Sequence, residues 1–125
     1  MRLHFNKAII LNLMLLTTIN SYASNVFINY YDYKDSIITM INDGNISINE
    51  SCYNKNCQAK KSLAINFDLA KIDLSGGKNP AAEICTQRLG GEILMLKNSN
   101  NFNIMSFCLF SDGSILSTST IYNFL

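Results

Sequence analysis

Residues 79–122 read NPAAEICTQRLGGEILMLKNSNNFNIMSFCLFSDGSILSTSTIY, and the punctuation inside this stretch sets the expected fold. Asn79 is a good helix cap, and Pro80 suits the first helical position because its missing N–H has no partner there anyway. Ala81, Ala82, Ile84, Cys85 and Leu89 then supply an apolar face. Gly90 gives a left-handed stop, and Gly91 frees the chain to turn. EILMLK (92–97) predicts a strand, NSNN (98–101) a turn, and FNIMSFCLF (102–110) a second strand. Ser111-Asp112-Gly113 is a hairpin signal with Gly113 available for positive φ, and SILSTSTIY (114–122) predicts a third strand. The expected fold class is α+β: a short helix packed on a three-stranded antiparallel meander, preceded by a partly helical N-terminal extension.

The glycines around this helix, in GGKNPAAEICTQRLGG (76–91), bracket it and do not cradle a phosphate. A phosphate loop needs G-x-x-x-x-G-K-[ST] and a dinucleotide site G-x-G-x-x-G, each after a strand, and neither pattern is present. Upstream the signals are weaker. KDSIITMINDG (34–44) places Ile37, Ile38, Met40 and Ile41 before a glycine, as a short helix does. NISINES (45–51) alternates and predicts a brief strand. CQAKKSLAINFDLAKI (57–72) predicts a second helix, although its apolar spacing fits neither period cleanly.

The first 23 residues have the three parts of a secretory signal. Arg2 and Lys7 form a positive end, Ala8 to Ile19 is apolar, and Ser21-Tyr22-Ala23 presents small residues for cleavage after Ala23. The apolar run is shorter than the roughly 20 residues that span a bilayer and is interrupted by Asn12. The expected division is therefore a signal peptide at 1–23, an N-terminal extension at 24–74, and a disulfide-linked helix-plus-sheet domain at 75–125. Cleavage takes two of the 10 Lys+Arg against 9 Asp+Glu, moving the formal charge from +1 to −1. No basic patch is left to bind nucleic acid or anionic lipid by charge alone. The single histidine, His4, departs with the leader, which excludes histidine-based nucleophilic pairs and metal sites from the mature chain.

All four cysteines, Cys52, Cys57, Cys85 and Cys108, lie beyond the leader. An even count in a small exported chain reads as a disulfide framework. Three pairings are open in principle. Zinc would want paired close spacings, and a redox pair usually has two intervening residues, whereas the close pair here is C-x4-C. Cys85 sits on the apolar helix face and Cys108 centrally in the second strand, so a helix covering its own meander brings these two together. Cys52 and Cys57 then pair by elimination.

KNPAAEIC, the following Gly-Gly, and FCLFSDGS together resemble a family of small exported bacterial envelope proteins that carries a hemolysin label and is otherwise a domain of unknown function. The family pattern maps onto Asn79, Pro80, Ala81, Cys85, Gly90, Gly91, Cys108, Phe110, Asp112 and Gly113. It covers about the last 50 residues. Many members place a Glu-Trp pair after the turn, where this chain reads STSTIY and has no tryptophan. The resemblance implies a compact disulfide-linked module in the periplasm or outside the cell, and no known enzyme.

The expected function is a non-enzymatic binding or accessory module of the envelope, with an unidentified protein or envelope component as partner and no cofactor, no nucleic acid and no membrane span after cleavage. Tyr30, Tyr31 and Tyr33, with their large amphipathic surface, and the turn residues Asp112 and Ser114 are the candidate binding residues. The alternative is a secreted, hemolysin-like protein acting on membranes, but the mature chain has no long amphipathic hairpin or helix for a pore. For an enzyme, Glu83 with Glu92 or Asp112 is the available carboxylate pairing; their expected roles are a helix first turn, the surface and a turn.

Overall fold

A computed structural model describes residues 22–29, 37–66 and 68–125. Most of the expected leader, and Tyr30, Tyr31 and Tyr33, lie outside the described residues. Six strands, β1 (Ala23–Asn29), β2 (Ile37–Asp43), β3 (Ile46–Asn49), β4 (Glu92–Asn98), β5 (Ile104–Leu109) and β6 (Ile115–Ser117), form one closed antiparallel barrel. Their order around it is β1-β2-β3-β6-β5-β4. Among the described residues four short helices sit outside: α1 (Glu50–Tyr53), α2 (Gln58–Ser62), α3 (Pro80–Gln87) and α4 (Thr118–Asn123), with a 3₁₀ turn at Leu69–Lys71.

This overturns the expected helix on a three-stranded meander. The meander β4-β5-β6 exists, but it is half of a barrel whose other half comes from the segment expected to be partly helical. A free meander leaves two edges of unpaired N–H and C=O groups. Here β1 pairs with the β4 edge, Phe27 opposite Asn98, and β3 with the β6 edge, Ile48 opposite Leu116.

Three local expectations fail for identifiable reasons. IITMIND is a strand, because a short apolar run fits either period while its β-branched Ile and Thr residues favour the pleat. Asp43-Gly44 is then a hairpin signal, with Gly44 at φ +59, and no helix stop. The third strand of the second half ends at Ser117, whose hydroxyl accepts the Thr120 N–H (3.1 Å) and starts α4. From 57 to 72 only α2 and the 3₁₀ turn form, the latter begun by Asp68 accepting the Ala70 N–H (3.1 Å). By contrast, α3 begins where its sequence predicts, with the Asn79 side chain accepting from Ala81 N (2.9 Å) and Ala82 N (3.2 Å).

Strand alternation divides the apolar residues between two cores. Phe27, Met40, Leu96, Phe107 and Ile115 point inward and fill the barrel, with Phe27 and Phe107 edge to face at 5.0 Å. Ile48, Cys108 and Leu116 point outward and are covered by Ala81, Ile84 and Cys85 of α3 and Ile121 of α4. Each such side chain contributes about 1.5–3 kcal/mol when removed from water, so the helices are needed to shield the outer face of β3, β6 and β5. Cys85 and Cys108 are disulfide-bonded with Cα atoms 5.7 Å apart, fixing α3 to β5. The second pair, Cys52–Cys57, has its Cα atoms 5.8 Å apart.

The β3–β6 seam has one ladder pair, and side chains complete it. Thr120 Oγ1 accepts the Ser47 N–H at 2.8 Å on one side of that pair, and Asn49 Oδ1 accepts the Ile115 N–H at 2.8 Å on the other. Thr120 supplies an acceptor that a longer β6 would have provided from its backbone, and Asn49 one that a longer β3 would have provided.

Candidate functional site

A surface hollow lies at the end of the barrel where β3 leaves, β6 enters and β2 begins. It is an open groove of about 650 Å³ walled by Ile38, Asn49, Ser51, Lys55, Gly113 and Ile115 among others. A hollow of about 290 Å³ over the Cys52–Cys57 bridge shares Asn49, Ser51, Lys55 and Gly113 with it and adds Asn56, Asp112 and Ser114. The floor is the filled barrel mouth. The rim is polar.

Asn49 ends β3 and precedes α1, and its side chain serves the seam: besides accepting from Ile115, its Nδ2 donates to Ser51 Oγ at 2.7 Å. The disulfide then ties α1 to the start of α2. Residue 57 at the cap position of α2 offers no side-chain acceptor, so the first N–H groups of that helix find partners on a distant turn. Asp112 Oδ2 accepts the Gln58 N–H at 2.8 Å, and Ser114 Oγ accepts the Ala59 N–H at 3.0 Å. Gln58 Oε1 returns the contact, accepting from Asp112 N and Ser111 Oγ, both at 3.0 Å. This is a reciprocal capping arrangement assembled from two remote segments. Those hydrogen bonds, the Gln58 N–H first and the Ser114 hydroxyl second, hold the Asp112 carboxyl below the usual aspartate range.

The structure thus brings Asp112 and Ser114 together, with Ser114 buried and its hydroxyl already engaged. The groups that face the groove without a side-chain partner among the described residues are different ones: the Lys55 ammonium, the Glu50 carboxylate and the Asn54 amide, all exposed. Their place in the sequence does not mark them, because short polar stretches after a strand carry no periodic signal. The C-x4-C spacing, which forces α1 and α2 to meet, was the available clue. Such a set can hydrogen-bond and ion-pair with a polar ligand. Among the described residues no group of three His, Cys, Asp or Glu side chains is placed to hold a metal ion. Of the other carboxylates considered from sequence, Glu83 accepts from Gln87 on the surface of α3 and Glu92 opens β4 exposed to solvent.

A separate aromatic cluster lies where β1 begins. Tyr22 and Tyr53 rings are 4.8 Å apart, the Tyr53 hydroxyl donates to Asp43 Oδ2 at 2.9 Å, and Lys60 sits over the Tyr53 ring. The Tyr22 hydroxyl, partial burial and the Asp43 carboxylate all push the Tyr53 hydroxyl above its ordinary pKa. No described helix is long and apolar enough to cross a membrane. No protein-family model matches this chain, and neither does any curated protein or solved structure.

Proposed function

We propose that this chain is an exported, non-catalytic module of the bacterial envelope, periplasmic or secreted, that works by binding a protein or envelope component through its outer surface. The observation that carries this reading is the contrast between inside and outside. The barrel interior is filled by Phe27, Met40, Leu96, Phe107 and Ile115, whereas the polar groove at its mouth is open and rimmed by uncommitted groups on a frame stapled by a disulfide. Small barrels filled by side chains leave recognition to their surface and loops. The two cysteine pairs at bonding distance support residence in an oxidising compartment, as does the resemblance of residues 79–113 to exported envelope proteins.

A photo-crosslinking side chain at position 55, introduced in cells, tests it. One discrete adduct in the envelope fraction is expected, weakened when Glu50→Ala and Asn54→Ala are added. Absence of any adduct from positions 51, 54 and 55 would end the proposal for this groove. The hemolysin-like alternative predicts instead that the purified chain releases dye from liposomes.

A further inference from the structure

We propose that the outer face of β2, β1, β4 and β5 seats this protein on an anionic lipid surface, with Phe102 as the inserted anchor. The helices cover the opposite flank, over β3, β6 and β5. On the flank that no described helix covers, the registers align Ile37, Ile28, Lys97 and Ile104 in one cross-strand row, and all three isoleucines are exposed, Ile37 by 69%. Beside the row stands the β4–β5 hairpin, which carries Phe102 over the Lys97 ammonium at 5.1 Å.

Phe102 is held outward by design of the loop. It is the single non-glycine residue at positive φ among those described, +61, and is 66% exposed. Phenylalanine is a poor residue for this region, which glycine and asparagine enter more readily. Asparagines occupy the neighbouring positions 100, 101 and 103, yet the left-handed one is aromatic. Asn98 fixes the tip by accepting Phe102 N–H at its carbonyl (3.0 Å) and Asn100 N–H at its side chain (2.8 Å), and Asn101 accepts from Asn103 N–H (3.0 Å). A strained backbone that exposes a large aromatic points to a use for that side chain.

Charge selects the occupant. Lys97 is the sole ionisable group in the row, and the carboxylate on the outward positions of these four strands, Asp43, lies at the far end of β2, bonded to Tyr53. A second copy stacked symmetrically through the row's centre would bring two Lys97 cations together. A strand-adding peptide has no edge here, because β1 and β4 are paired. An apolar surface bearing negative charge satisfies both the isoleucines and the lysine, whose stem can lie along the apolar side chains while its head reaches the phosphates.

This goes beyond the groove reading: Ile37 borders both surfaces, but Phe102 and Lys97 line neither hollow, and the hairpin and the Ser111–Ser114 turn lie at opposite ends of β5. The test is co-sedimentation of the chain, as recovered from expressing cells, with phosphatidylcholine vesicles with and without phosphatidylglycerol. Any contribution of residues 1–21 is common to wild type, Phe102→Asn and Lys97→Gln, so their differences report on this face. Phe102→Asn should weaken binding at least tenfold without lowering the melting temperature, since asparagine accepts the left-handed conformation. Lys97→Gln should reduce the preference for anionic vesicles about fivefold. Equal binding by all three, or no vesicle binding by wild type, overturns the proposal. So does a concentration-dependent dimer that Phe102→Asn abolishes while vesicles remain unbound. Loss of the crosslink at position 55 with vesicle binding intact would remove the groove reading and leave this one.

Discussion

Replacing Gly91 by alanine is expected to cost about 3 kcal/mol, for a reason unrelated to backbone freedom. Gly91 is absent from the positive-φ residues that include its neighbour Gly90 at +67. Its missing side chain makes room for the disulfide. A Cβ there would lie 2.9 Å from Cys85 Sγ and 3.2 Å from the Leu109 carbonyl oxygen, and closer still to Cys108 Sγ. Two bonded sulfurs cannot rotate aside independently. Forcing a methyl group into such a site costs about 1–3 kcal/mol, and a covalently fixed obstacle favours the upper figure. Opening the bridge to relieve the clash forfeits about 3 kcal/mol of loop-closure entropy for cysteines 23 positions apart. Both routes lead to a similar loss. Urea denaturation with thiol titration measures the loss and identifies the route. The decisive background is Cys85→Ala/Cys108→Ala, in which the sulfurs are gone and Gly91→Ala should cost under about 1 kcal/mol. An equal cost in both backgrounds would refute the steric account.

Thr120→Val keeps the shape but removes the acceptor of the Ser47 N–H, and should cost about 1–3 kcal/mol with faster hydrogen exchange at Ser47. Asn79→Ala strips the cap from Ala81 and Ala82 N–H and should cost about 1 kcal/mol in chemical denaturation. Asp112 has a folded pKa below the ordinary 3.8, so its contribution is present above that value and lost as the pH falls through the lower folded one. Asp112→Asn should therefore be less stable than wild type at neutral pH, the gap closing below about pH 4 in urea midpoints measured across pH.

What was legible in the sequence is the second half up to Ser117. Asn79, Pro80 and Gly90 are single-residue signals whose chemistry admits few conformations, and β4 and β5 are long enough to declare themselves. The cysteine pairing followed because α3 does cover β5, although the sheet beneath it is larger than expected. The barrel was not legible, since closure depends on which edges meet across more than 60 residues, as in Phe27 with Asn98. No local pattern encodes that. Gly91 was read as a turn residue because a glycine beside a helix stop looks the same whether it supplies freedom or space. Asp112 declares its turn chemistry in the sequence, but the helix it caps is encoded only by the meeting of residues 58 and 112, which are distant in the chain. Apart from Cys52 of the C-x4-C pair, residues 50–55 carry no sequence signal for the groove they line.

The two seams also set a schedule. β1, β2 and β3 can pair among themselves as soon as residue 49 is made, yet β1 then waits for β4 and β3 for β6. Until Leu116 arrives to face Ile48, a chain emerging from its N-terminus has two open edges, and Ile48 lacks the cover of α4. Pairings this distant in sequence are slow to form, because the intervening loop must close before any contact rewards it. Completion is thus deferred until β6 is made. The export proposed above, as an extended thread, would benefit from that delay, and the same delay leaves the first half the segment most exposed to aggregation if the second half is late or truncated.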